Sequence, residues 1–351
     1  MTPPAPHLPP RTCSVSAREI WSRLRWLALV IVLAVFAGAT ASLFMIDYWY
    51  PVDALVGSTA IINRADRGSP SLDAAAVRDW RYRLVRVYDE SRVVGANYYP
   101  AGALVGHAVV LSSSGWSVVW APSLSPETKS LAGVDVYGIR HPVEKMLAAP
   151  ESGLWYLKFS GDEFRATTIF GSSEALTPGQ ALWALNGEWQ AVTVGARLPR
   201  SGVQRATEPP YYYELSGYEL AGRVIISERG EMIGVAGDRG ILLPAWLIER
   251  QVPFLLESGV LDTRRPAWQG YFIEGVREGA VWKELSGFYV TGPSSAGAVS
   301  NLKAGDVIVR VNNEPAEKDR LARLLLSAPD EFTLTVIRGG DEVKVAVRKT
   351  K

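Results

Sequence analysis

The chain is short of the residues from which most catalytic and metal sites are built. It has one cysteine, Cys13, in 351 residues, which excludes an internal disulfide framework and every multi-cysteine metal site. Three histidines (His7, His107 and His141) leave little material for metal ligation or acid–base chemistry. It also lacks a surplus of charge. Lys and Arg number 37 against 36 Asp and Glu, a formal charge of +1, whereas a nucleic-acid binder usually carries a basic excess. Apolar residues are not scarce: 48% hydrophobic with 21% charged rules out wholesale disorder. Tryptophan is abundant, with 12 residues, which suits a β-rich, aromatic-packed protein.

The longest uncharged run is Trp26 to Ile46, WLALVIVLAVFAGATASLFMI. A helix of that length crosses roughly 30 Å of hydrocarbon, and only a helix satisfies its own backbone there. Arg11, Arg18, Arg23 and Arg25 precede it, while Asp47 and Asp53 follow it. The positive-inside rule then places residues 1–25, a Pro-rich tail expected to be disordered, in the cytoplasm. The expected topology crosses the membrane once, with everything after about residue 47 outside the cytoplasm. Ala39-Thr40-Ala41 resembles a signal-peptide cleavage site. The apolar run continues beyond it through Ile46, which favours an uncleaved anchor.

Residues 47–79 read as a stalk ending in a short helix, about Leu72 to Trp80. From Tyr82 the pattern changes to short apolar runs separated by turn residues: Leu84–Tyr88, Gly106–Leu111, Ser117–Trp120, Leu154–Phe159, Ala181–Leu185, Val192–Val194, Arg223–Ile226 and Met232–Val235. Runs of this length, rich in Val, Tyr and Trp, predict antiparallel β-structure. A helical stretch at Ala245–Glu257 is interrupted by Pro253. The polar segment Thr263-Arg264-Arg265-Pro266 is the expected boundary of a second unit. That unit reads as strands at Tyr271–Val276, Phe288–Thr291 and Val307–Val311, a helix at Lys318–Ser327, and a hairpin of Phe332–Arg338 and Glu342–Arg348 turning at Gly339-Gly340-Asp341.

This order of residues resembles a known family. Asn301-Leu302-Lys303-Ala304-Gly305-Asp306-Val307-Ile308 followed by Val311-Asn312-Asn313 is similar to the "GLKAGDVI…VNG" segment of bacterial PDZ domains. Residues 106–119, 153–159, 177–186, 191–198 and 221–235 are similar, in order, to segments of the trypsin-like domain of HtrA/Deg serine proteases. The resemblance implies a mainly β protein. It has a trypsin-like double six-stranded β-barrel over residues 80–262 and a PDZ domain over 263–351, preceded by one transmembrane helix. By family analogy it also implies a homo- or hetero-trimer, with an active relative as a possible partner.

The same resemblance locates where a catalytic triad would sit, and the residues there are inert. The histidine position falls on Pro122, the aspartate position on Gly153 and the serine position on Ala221. Where the family has Gly-Asn for its oxyanion hole, this chain has Glu219-Leu220, and a carboxylate beside developing negative charge is electrostatically wrong. Without nucleophile, base and orienting acid the acyl-transfer mechanism has no starting point. The expectation is a pseudoprotease that binds polypeptide without cutting it, and no cofactor or metal is expected. The rival is an active serine endopeptidase with a rearranged site, for which Ser216 is the candidate nucleophile and His107 a relocated base. His141, before Pro142, reads as a surface loop residue.

A PDZ domain binds an extended peptide by strand addition beside its helix. The corresponding strand residues are Tyr271, Phe272 and Ile273, and the helix offers Leu321, Leu324 and Leu325, of which one is expected in the groove. Ile273 stands where the family's carboxylate loop has glycine, and Glu274 follows it. The expected partners are C-terminal or unfolded peptide segments. Tyr211-Tyr212-Tyr213 falls where the family has a substrate-specificity loop, and three adjacent tyrosines cannot all face one way on a strand.

Overall fold

The structure, a computed structural model, describes Arg25, Trp26, Leu29 and residues 74–350 apart from 96–97, 129, 150, 186–187, 200–201, 279 and 293–297. Met1–Ser69 and Pro70–Lys351 are separate units, and the folded domains lie in the second. The anticipated membrane helix over 26–46 falls almost wholly outside the described residues. Among the described residues no helix is long and apolar enough to cross a membrane.

Helix α1 (Ala74–Arg81), anticipated at the end of the stalk, docks on the barrels. Trp80 is buried and its Nε1 donates to the Gly230 carbonyl at 2.9 Å. The first barrel is built from β1 (Leu84–Asp89), β2 (Leu104–Val110), β3 (Trp116–Trp120), β4 (Leu131–Val134), β5 (Arg140–Ala149) and β6 (Leu154–Phe159). It closes in the order β1-β2-β3-β6-β5-β4. Closure removes free sheet edges, and the alternating inward residues Val85, Val87, Ala108, Val110, Leu157 and Phe159 fill the interior. The interior is tight enough that a Cβ on Gly133 of β4 would lie 2.5 Å from Val85 and 2.6 Å from the Phe159 ring.

The second sheet contains β7 (Ala181–Leu185), β8 (Trp189–Pro199), β10 (Tyr211–Ser216), β11 (Val224–Ile226), β12 (Met232–Ala236) and β13 (Leu242–Pro244), with β9 (Gln204–Arg205) branching away. Its order is β10-β8-β7-β11-β12-β13. A bridge between Glu214 and Ile241 brings β10 back beside the start of β13. Trp116, Val118, Leu154 and Tyr156 from the first barrel share one core with Leu185, Val224, Ile226, Val235 and Leu243 from the second. Helices α2 (Ala245–Glu249) and α3 (Val252–Glu257) follow. The break anticipated from Pro253 falls just before it. Proline then sits in the first turn of α3, where no backbone donor is missed.

The C-terminal domain is a sheet covered by α4 (Leu321–Ser327). Its strands are β14 (Gln269–Glu278), β15 (Val281–Gly292), β16 (Ala298–Ser300), β17 (Val307–Val311), β18 (Glu314–Pro315), β19 (Glu331–Arg338) and β20 (Asp341–Lys349). The order is β16-β20-β19-β17-β15-β14-β9, so a strand from the barrel region completes it. The β19–β20 hairpin turns at Gly339 (φ +61°) and Gly340 (φ +98°), left-handed values that require glycine and were legible from the Gly-Gly pair.

Two anticipated loops are strands. Tyr211–Tyr213 lies on β10. Tyr213 is buried and its hydroxyl donates to the Leu176 carbonyl at 2.8 Å, while Arg197 lies 4.7 Å over the Tyr211 ring. Alternation along the strand puts Tyr211 and Tyr213 against one core and Tyr212 against the other, so all three rings serve packing. His141 lies on β5 and not in a surface loop. It is half-buried, its Nδ1 lies 3.1 Å from the Ser160 carbonyl oxygen and its Nε2 3.2 Å from Asp135 Oδ2. Its ring also packs on Phe164 at 4.6 Å.

Candidate active-site cleft and peptide groove

Three chain segments meet around the indole of Trp120, the last residue of β3. The turn after β3 carries Pro122, and the Ala121 N–H donates to the Gly153 carbonyl at 3.0 Å. Gly153 has φ +69° and closes the turn into β6. A Cβ placed there would lie 3.0 Å from Trp120 Nε1 and 3.3 Å from Pro122 Cβ. From the second barrel comes the turn into β11. Gly222, at φ +78°, donates its N–H to the Ala236 carbonyl at 2.7 Å, and a Cβ on it would lie 3.6 Å from Trp120. Ala221, immediately before, is exposed. Pro122, Gly153 and the Ala221–Gly222 turn are thus brought together by packing on one tryptophan, and none of these residues ionises or attacks.

The turn before it, Glu219-Leu220, was expected at an oxyanion hole and is held by a side chain. Glu219 adopts φ +46°, a left-handed conformation costly for a residue with a side chain. Arg223 ties the turn down: its Nε donates to the Glu219 carbonyl at 2.9 Å and its Nη1 to Gln190 Oε1 at 2.8 Å. This cation also acts on His107 of β2, which pairs opposite Arg86. Burial, then the charges of Arg86 and Arg223, lower the His107 pKa to about 4. The ring is therefore neutral at pH 7. It lines a cavity of about 190 Å³ with Arg81, Leu84, Arg86, Val134, Asp135, Val136 and Leu185, none of which carries a hydroxyl.

Ser216 is not drawn into this gathering. It ends β10, exposed and paired in register with Thr193, and no histidine bond to its hydroxyl is present among the described residues. His141 with Asp135 is the one imidazole–carboxylate contact among the described residues. The other ring nitrogen faces a backbone carbonyl and not a nucleophile. No group of three or more His, Cys, Asp or Glu is placed to hold a metal among the described residues.

The strand and helix expected to form a peptide groove correspond to β14 and α4. Tyr271 of β14 is 42% exposed, and Phe272 is half-buried, edge-on to Phe288 with ring centres 5.1 Å apart. Ile273 is half-buried opposite Gly287. The helix departs from the expectation. Leu321 and Leu325 are 0% exposed in the core of the C-terminal domain. Their i, i+4 spacing points both at the sheet, so neither lines a groove, and half-buried Leu324 is the leucine nearest the surface. The edge of β14 is partly taken, because β9 pairs with Gln269 and Gly270.

One functional cluster escaped the sequence reading. Asp262, just before the anticipated domain boundary, is buried. It accepts from Arg264 Nε at 2.8 Å and lies 3.4 Å from Arg250 Nη2. Its backbone N–H donates to Gln251 Oε1 at 2.8 Å, and its carbonyl accepts from Gln251 Nε2 at 3.1 Å. Arg264 continues to Asp330 of the C-terminal domain at 2.5 Å. The expected boundary is therefore bonded on both sides. Its charge-rich sequence reads as a solvated break, and burial can be seen only in three dimensions.

No protein-family model and no curated protein matches the chain. Solved structures do. The HtrA-type protease AlgW with a decapeptide superposes with a TM-score of 0.50 at 16% identity, covering 79% of this chain and 97% of that one. A substituted form of AlgW with a tripeptide gives 0.52 at 17% identity, covering 79% and 96%. At such identity the likeness speaks for the fold, and the fold of this chain is the trypsin-like fold of HtrA-type proteases.

Proposed function

We propose that this chain is an HtrA-like pseudoprotease: a membrane-anchored, extracytoplasmic protein that holds polypeptide segments, or regulates an active partner protease, without cutting. One observation carries the reading. The segments that the sequence resemblance aligns with the nucleophile, base and acid of a trypsin-like protease gather at Trp120, through Pro122, Gly153 and the Ala221–Gly222 turn. None supplies a hydroxyl, an imidazole or a carboxylate, and the mechanism needs all three. In this reading the C-terminal domain is a PDZ domain whose free β14 edge, from Tyr271 onward, accepts a peptide by strand addition. The fold neighbour with a decapeptide is consistent with that role. The anchor is the 26–46 segment, with the soluble domains on the periplasmic side, and trimerisation through the trypsin-like domains follows by analogy.

The test is direct. Full-length protein incubated with unfolded casein and a fluorophosphonate probe is expected to show neither cleavage nor labelling. Covalent labelling at Ser216 or Ser114, with casein turnover, would overturn the reading in favour of an active endopeptidase. Peptides with free C-termini are expected to bind the wild type, and an I273D substitution on the β14 edge is expected to weaken them.

A further inference from the structure

The cavity of about 190 Å³ beside His107 is lined by the first barrel, the end of α1 and Leu185 of the second barrel. Leu84 and Leu185 belong to the core that the barrels share, and with Val134 and Val136 they give the cavity its apolar lining. Its volume is below that of sites for drug-sized ligands, which leaves room for a side chain and not for a large free molecule. On the turn from β4 to β5 beside it, Val136, Tyr137 and Ile139 are exposed.

The charge of the cavity is one-sided. Arg81 ends α1, and Arg86 stands on β1 opposite His107. Both line the cavity and both are exposed, so a ligand can reach them from solvent. Among the described residues neither guanidinium has a hydrogen bond or an ion pair. The one carboxylate in the lining, Asp135, is engaged elsewhere. Its Oδ1 accepts the N–H groups of Tyr137 at 2.9 Å and Ile139 at 2.8 Å, and its Oδ2 lies 3.2 Å from His141 Nε2. His107, neutral at pH 7, contributes a ring edge without charge. Two accessible cations at an apolar hollow therefore lack an anion.

We propose that this cavity takes the acidic side chain, Asp or Glu, of a polypeptide held at the barrels, its carboxylate at Arg81 and Arg86 and its methylenes against Leu84, Leu185, Val134 and Val136. A carboxylate suits the planar fork of arginine and gives charge-assisted bonds. A free short-chain acid shares this chemistry. The small volume and the exposed apolar turn beside it favour a side chain whose neighbours continue along the surface. The inference rests on the reading that this chain holds polypeptide, and it names the residue type that is held. It uses neither the β14 edge nor the triad positions.

The experiment uses full-length protein at pH 7 and three probes titrated by calorimetry: acetyl-Ala-Val-Glu-Val-Ala-amide, its Gln counterpart, and butyrate. Both peptides are capped, so no terminal carboxylate is offered to the β14 edge. The Glu peptide is expected to bind about fivefold or more tighter than the Gln peptide, and the preference to shrink between about 50 mM and about 500 mM salt. Butyrate binding as tightly as the Glu peptide would make a free acid the ligand and overturn the polypeptide assignment. With three histidines in the chain, the ring signals of His107 can be assigned by H107Q, and they are expected to move with the Glu peptide. The double variant R81Q/R86Q is expected to erase the preference for Glu. R78Q, an exposed arginine of α1 outside the cavity lining, is expected to leave it unchanged. The proposal is overturned if the two peptides bind alike, if neither binds at about 10 mM, or if R81Q/R86Q keeps the preference. Unchanged binding of peptides with free C-termini alongside any of these results would leave the proposed function standing and sink this site alone.

Discussion

The cleft between the barrels and the junction behind the second barrel are opposites in chemistry. At the cleft, Pro122, Gly153 and the Ala221–Gly222 turn gather at Trp120, and the imidazole of His107 is held neutral. At the junction, Arg250, Asp262 and Lys349 are buried and Arg264 is half-buried; Asp262 takes Arg250 and Arg264, and Arg264 reaches Asp330 of the C-terminal domain. A trypsin-like enzyme concentrates its perturbed groups in the cleft. This chain has two of its shifted groups, Arg250 and Lys349, where two domains meet. Buried ion pairs are weak sources of net stability, yet breaking one is costly because the surviving charge is stranded. The comparison teaches that the cleft is tuned for packing and the junction for fixed orientation.

The largest effect should come from the junction. D262N replaces the shared carboxylate with an amide and leaves Arg250 and Arg264 facing it without an anion. Loss of about 3–5 kcal/mol is expected from denaturant unfolding of the full chain. A cost under about 1 kcal/mol would mean that the cluster is solvated and that the contrast is false. At the cleft, W120A removes a half-buried indole that touches Gly153 and Gly222. The expected cost is about 2–3 kcal/mol, below the fully buried range because part of the ring already meets solvent.

Acid and alkali separate the two regions. Burial lowers the pKa of Lys349 to about 8, while its Nζ donates to the Leu326 carbonyl at 3.0 Å and the Ala328 carbonyl at 2.6 Å. Between about pH 8 and its ordinary 10.5 the unfolded chain holds a proton that the folded chain has lost. Stability therefore rises with pH across that window, and K349M should flatten the rise. His107 works at the other end. As pH falls from 6.5 towards about 4, the unfolded state takes up the proton first, so stability is lost over that window. H107Q should soften the acid limb without changing the alkaline one. Unfolding midpoints measured from pH 4 to 10.5 on both variants check the assignment.

Much of the fold was legible because strand pattern is local. Leu154–Phe159, Ala181–Leu185 and Val307–Val311 form strands with the bounds that their apolar runs suggest. β5 was not legible: its ten residues, RHPVEKMLAA, alternate only loosely between exposed and half-buried positions, and Pro142 reads as a strand breaker. β5 exists because β4 and β6 pair with it on either side, which is tertiary information. The cleft positions came from the order of motifs. The junction came from nothing in the sequence, since Arg250 lies in an apolar helical run and Asp262 in a polar break. Leu321 and Leu325 show the limit of a helical stripe, which says that one face is apolar but not whether it meets a core or a ligand.

The smallest effect belongs to Ala221, which the proposed function puts at the nucleophile position. A221S adds one hydroxyl at an exposed position, and the expected change in stability is within about 0.5 kcal/mol. It should also leave the protein unlabelled by a fluorophosphonate, because no base stands beside it. Adding P122H and G153D supplies the residue types but not their places. Gly153 sits at φ +69°, and any Cβ there meets Trp120 Nε1 at 3.0 Å, so an aspartate must displace the indole about which the cleft is packed. The triple variant is expected to remain inactive and to unfold more easily than A221S alone. Restored casein cleavage by the triple variant would show that Trp120 yields, and that the cleft differs from a working one by side-chain identity and not by shape.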